Sequence, residues 1–102
     1  MAKKPYHLDL APDFEGDWIE IRDPKYMSQR QFTELTEQST SDNEAFIRAM
    51  AQAWHITDPD GNVLSDPKAD KLEDIPAGVV KALADTLQDL FTATTPKGSR
   101  TP

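Results

Sequence analysis

From Pro76 to Phe91 the chain reads PAGVVKALADTLQDLF, and its Val79, Val80, Leu83, Leu87, Leu90 and Phe91 fall on one stripe of a helix. Pro76 suits the first helical position, where its missing N–H costs nothing. About sixteen residues at a rise of 1.5 Å make a rod of ~24 Å. Lys81, Asp85, Gln88 and Asp89 occupy the opposite face.

The amino-terminal end has a different period. In YHLDL, Tyr6, Leu8 and Leu10 alternate with His7 and Asp9; in DWIEIRD, Ile19 and Ile21 alternate with Glu20 and Arg22. Pro12, Asp13, Gly16 and Asp17 between them are turn residues, so the two segments read as an antiparallel hairpin. A lone hairpin is marginal in water, and its apolar face must lie on the helices that follow.

Two more helices are expected between these ends. Ser28 can cap a short one, with Gln31 completing a capping box and Met27, Phe32 and Leu35 forming a thin apolar stripe, broken by STSD at 39–42. Asp42 can cap the next, NEAFIRAMAQAWH, in which Phe46, Ile47, Met50, Ala51 and Trp54 share a face and Glu44 stands four before Arg48. The expectation is an α+β fold: an N-terminal β-hairpin packed on a small bundle of about three helices. Residues 1–93 form one domain, and 94–102, without an apolar period, form a disordered tail.

The stretch AWHITDPDGNVLSDPKADKLEDIP at 53–76 holds the densest acids and raises the question of chemistry. Taking Asp58 as position one of a calcium loop, Asp60 and Asn62 fall correctly at three and five. Position six needs glycine and has Val63; position twelve needs glutamate and has Ala69. A turn accounts for every residue instead. Pro59 and Asp60 take its central places, and Gly61 takes the left-handed conformation after them. WHIT and NVL become short strands or extended arms on either side, making a miniature hairpin. Asp66 and Pro67 start a second turn, and Asp70 caps a single helical turn, KLEDI, whose Leu72 and Ile75 tuck under the last helix.

Other chemistry finds no support. With no cysteine there is no disulfide, thiolate site or cysteine nucleophile. His7, on the polar side of a strand, and His55, at a helix end, lack spacing partners for a metal. No phosphate-cradling glycine loop and no strained nucleophile turn is present. Catalytic, cofactor and metal residues are therefore none, and no enzyme is expected. Trp18 and Trp54 are expected in the core. A net charge of −7, from 18 acidic and 11 basic residues, disfavours nucleic acid, and no apolar run is long enough to span a membrane. A small domain with open sheet edges and a partly apolar groove points to binding, and the open edge makes self-association plausible.

Three segments together resemble the tail assembly chaperones of long-tailed bacteriophages. They are DLAPDFEGDWIEIRDP; FIRAMAQAWHITDPDGNVLSDP, with its A-W followed by a D-x-D-G turn; and LEDIPAGVVKALADTLQDLF. The resemblance implies a non-catalytic protein of the host cytoplasm, absent from the mature virion, that binds and solubilises the helical tape measure protein. It also implies recruitment of tail tube subunits through a longer product of a −1 frameshift. Thr95, Pro96 and Lys97 can be encoded as a slippery C-CCA-AAG. The alternatives are a virion structural protein, such as a tail completion or connector component, and an acidic inhibitor of the DNA-mimic or antitoxin kind. Against the second, basic residues are interspersed among the acids. The contacting surface is not legible in the sequence.

Overall fold

A computed structural model describes residues 4–94. The order of elements is β1 (Tyr6–Asp9), β2 (Trp18–Ile21), α1 (Gln29–Ser41), α2 (Asn43–Met50), β3 (Ala51–Thr57), β4 (Val63–Leu64) and α3 (Ala77–Thr94), with short 3₁₀ turns at Pro24–Tyr26 and Leu72–Asp74. The four strands form one antiparallel sheet in the order β1-β2-β3-β4. The fold is α+β, as the two periodicities require.

The hairpin register pairs Leu8 with Ile19 and Tyr6 with Ile21. Ile19 pairs onward with Trp54, and Ile56 with Leu64. This row is the inner face of the sheet: Ile19, Ile21 and Ile56 are wholly enclosed, and Trp54 is 2% exposed. Val79, Leu83 and Leu87 of α3, Phe46, Ile47 and Met50 of α2, and Leu35 of α1 complete one core. Enclosing a side chain of this size contributes roughly 1.5–3 kcal/mol, so the rows, not the surface ion pairs, hold the fold.

Several local expectations hold. Ser28 Oγ accepts from Gln31 N at 3.1 Å and Gln31 Oε1 accepts from Ser28 N at 3.3 Å, the reciprocal box at the start of α1. Asp42 accepts from Ala45 N at the start of α2. Pro76 stands one place before the first helical residue expected of it: α3 starts at Ala77, and the Pro76 carbonyl accepts from the N–H groups of Val79 and Val80.

Three boundaries differ. STSD does not break the first helix before Asp42: α1 continues through Ser41, with Ser39, Thr40 and Ser41 hydroxyls donating to carbonyls of the preceding turn. The second helix does not reach Trp54 or His55. It ends at Met50, whose carbonyl accepts from Arg22 N at 2.8 Å, so the sheet captures the chain there and turns it into β3. The residues AMAQAW have apolar side chains at both helical and strand spacings, and pairing with β2 decides between them. At the far end, Thr94 is helical rather than part of a tail; the remainder of the 94–102 tail, with its proposed slippery site, lies outside the described residues.

Candidate functional site

The acid-rich stretch resolves into loop structure. Asp58 Oδ1 accepts from the N–H groups of Asp60 at 3.0 Å and Asn62 at 2.8 Å. The Asp58 carbonyl accepts from Gly61 N, and Gly61 has φ +91°. That is the expected turn between β3 and β4, and the carboxylate serves the backbone. Asp66 opens the second turn: its carbonyl accepts from Ala69 N and Asp70 N, and its Oδ1 from Lys68 N. Among the described residues no group of three acidic, histidine or cysteine side chains is arranged to hold a metal ion.

Asp70 has another task than the one expected of it. The turn Leu72–Asp74 has no side-chain cap, and Lys71 stands at its cap position. The Asp70 carboxylate instead accepts from Trp54 Nε1 at 3.0 Å and from Asp66 N at 2.7 Å through the same oxygen. A buried indole needs an acceptor for its N–H, and this one comes from a loop sixteen residues further on. Arg48 and Lys68 strengthen the same joint: Arg48 Nη1 donates to the Pro67 carbonyl at 3.2 Å, and Lys68 Nζ donates to the Arg48 carbonyl.

Trp18 is not in the core. Its side chain projects from the opposite face of the sheet, half-buried, with the rings of His7 and His55 stacked beside it at centroid distances of 5.6 Å and 6.4 Å. His55 is thus a strand residue and not a helix end. The register places Trp18 across from His55, and Glu20 across from His7. One residue before Trp18, Asp17 is 5% exposed; its two oxygens accept from Thr57 N at 3.0 Å and Thr57 Oγ1 at 3.1 Å. It fastens the hairpin turn to the end of β3. Only the parity of the strand separates Trp18 from Ile19, and the apolar character of tryptophan hides which face it takes.

The surface best built for contact is a cleft between α2 and α3. Near the carboxyl end of α3 a hollow of about 400 Å³ is lined by Phe46, Ile47, Val80, Ala84, Leu87 and Phe91, with Thr36, Ser39, Asn43, Gln88 and Thr92 at its rim. A second hollow, of about 300 Å³, lies toward the amino end of α3, above Ile19 and Ile56 of the sheet, which are themselves wholly enclosed. The two share Asn43, Ile47 and Val80 in their linings, and the first, nearer Phe91, is the trough. Phe91 closes its far end, stacked on Phe32 at 5.1 Å and edge-on to Phe46 at 5.4 Å.

On α3 the trough is lined by Val80, Ala84, Leu87 and Phe91, an i, i+4, i+7, i+11 row beside the fully core-facing Val79 and Leu83. The apolar stripe expected of α3 contains Val80, Leu87 and Phe91 but not Ala84. A signal was there: the doublets Val79-Val80 and Leu90-Phe91 make the stripe wider than one helix neighbour can cover. Of its apolar lining Val80, Ala84 and Phe91 keep exposed surface while Phe46, Ile47 and Leu87 are buried, so the trough offers a partner a narrow apolar strip with a polar rim.

This α+β sheet-and-helix fold, with a hollow between α2 and α3, defines the chain structurally. No protein-family model matches it, and no curated protein or solved structure matches it either. Among the described residues no helix is long and apolar enough to cross a membrane.

Proposed function

We propose that this protein is a non-catalytic tail assembly chaperone of a long-tailed bacteriophage, which holds helical segments of the tape measure protein in the trough between α2 and α3. The observation that carries this reading is the trough itself, where Val80, Ala84 and Phe91 keep exposed apolar surface over the buried Phe46, Ile47 and Leu87, beside uncharged polar residues. A tape measure helix exposes an apolar face over great length and aggregates unless that face is covered. The row on α3 meets such a helix as ridges meet grooves. The resemblance of the three segments supports a phage tail setting, and a net charge of −7 favours solubility of a loaded complex.

In this role the protein acts in the host cytoplasm, recruits tube subunits through a longer frameshifted product, and leaves before the virion is complete. Co-expression with the very long product encoded downstream tests it. The expected result is a complex that co-purifies and raises the soluble fraction of that product, and loss of both effects in Ala84→Arg, which fills the trough. An unchanged complex with Ala84→Arg, or no complex with the native chain, overturns the reading. Mass spectrometry of purified virions adds a second check: the chaperone role requires the protein to be absent, and a stoichiometric presence makes it a structural component.

A further inference from the structure

Of the three helices, α1 has the weakest hold on the molecule. It buries one residue, Leu35, whereas α2 buries Phe46, Ile47 and Met50 and α3 buries Val79, Leu83 and Leu87. Open space lies on both sides of that single anchor. Thr36 and Ser39 border the trough, while Gln31, Glu34 and Gln38 border another hollow, of about 320 Å³, beside Arg22. Leu35 sits between these two rows of the helix.

The polar side chains of α1 are spent on α1 itself. Hydroxyls of Thr36, Ser39, Thr40 and Ser41 donate to carbonyls of their own helix, and Gln31 closes the cap with Ser28. Among the described residues no side-chain hydrogen bond or ion pair joins α1 to another element. The rest of the body is laced together by such bonds: Trp54 to Asp70, Thr57 to Asp17, Arg48 to the Pro67 carbonyl. Serine and threonine are also weak helix formers, so α1 gains little from its own backbone. Beyond Leu35, what fastens it is the stack of Phe32 on Phe91 at 5.1 Å. Phe91 in turn stands edge-on to Phe46, so α1 roofs the end of the trough.

We infer that α1 is a lid, which lifts from α2 and α3 as one unit while the sheet and the other two helices stay folded. Its pivots are Ser28 and Asp42, the non-helical residues that bound it. Segments with few buried apolar contacts open at lower free energy than the core they cover. With the lid down the trough is a narrow strip; with it up, Phe46 and Phe91 are bared and the strip becomes a broad apolar groove. A ligand that touches those rings only in the open form shifts the balance toward it. The lid needs no particular occupant in the trough: it is a property of the chain alone.

Since the chain has no cysteine, single introduced thiols report opening without background. Leu35→Cys and Phe46→Cys place one on each side of the lid contact, and Leu83→Cys places one under α3. With a thiol reagent in native buffer, the first two are expected to react at a common rate, roughly 100-fold faster than the third. Dilute urea should speed them less steeply than Leu83→Cys, because the lid's opening exposes less surface than global unfolding. Equal rates at all three positions, or Phe46→Cys as slow as Leu83→Cys, overturn the lid. So does a rate at Leu35→Cys that urea leaves unchanged, which means direct access without opening. Amide exchange on the native chain decides the matter if a variant fails to fold. The amides from Phe32 to Ser41 should then share one opening, faster than those of α3. Exchange graded inward from Ser41, with Phe32 and Leu35 as slow as Leu83, is fraying and overturns the lid.

Discussion

The indole N–H of Trp54 on β3 donates to Asp70 at 3.0 Å, joining the sheet's most buried aromatic to a loop sixteen residues later. The same carboxylate oxygen holds Asp66 N at 2.7 Å, so one acid anchors both a core side chain and the turn that leads to α3. Asp70→Ala leaves a buried N–H without an acceptor. A loss of about 1–3 kcal/mol in urea unfolding is expected. Trp54→Phe in the same background should cost little more through the bond itself, and a double-mutant cycle that shows independent, additive effects would refute the link.

Asp17 makes the matching joint at the other end of β3. Removing it strips Thr57 of two acceptors in a site that is 5% exposed. Asp17→Ala is expected to destabilise by about 1–3 kcal/mol, and Thr57→Val, which spares the backbone bond, by about 1 kcal/mol. Hydrogen exchange at Thr57 N is the direct readout: it should accelerate in the first variant and stay slow in the second.

Gly78 lies under a ring from the β1–β2 turn. A Cβ there would stand 2.9 Å from Phe14 Cζ and 3.1 Å from Phe14 Cε2. Gly78→Ala therefore sets a helix-propensity gain of up to about 1 kcal/mol against displacement of that ring. With Phe14 in place the variant should be neutral or destabilised; combined with Phe14→Ala, the same substitution should stabilise. Thermal unfolding of the four proteins in the cycle gives the answer, and stabilisation with Phe14 present would mean the contact is loose.

Calcium gives a further test, because Asp58 is committed to Asp60 N and Asn62 N. Millimolar calcium is expected to leave the melting temperature unchanged, since a ligand specific for the native state would raise it. Gly61→Ala, at φ +91° with open space around it, should cost about 1–2 kcal/mol through backbone conformation alone.

What the sequence determined by itself was whatever depends on neighbours a few residues apart. Ser28 with Gln31, Asp42 with Ala45, the Asp58–Gly61 turn and the stripe of α3 are all closed by local bonds or by one period, and each stands where its pattern put it. The tertiary structure decided what local patterns leave degenerate. Ala51–Trp54 satisfies a helix as well as a strand until Arg22 N takes the Met50 carbonyl and β2 pairs with β3. Trp18 suits either face of a strand until Ile19 is placed opposite Trp54. The trough belongs wholly to this second kind, for a cleft is the space between elements distant in sequence: Ile47 and Leu87 line it together only because the sheet holds their helices apart.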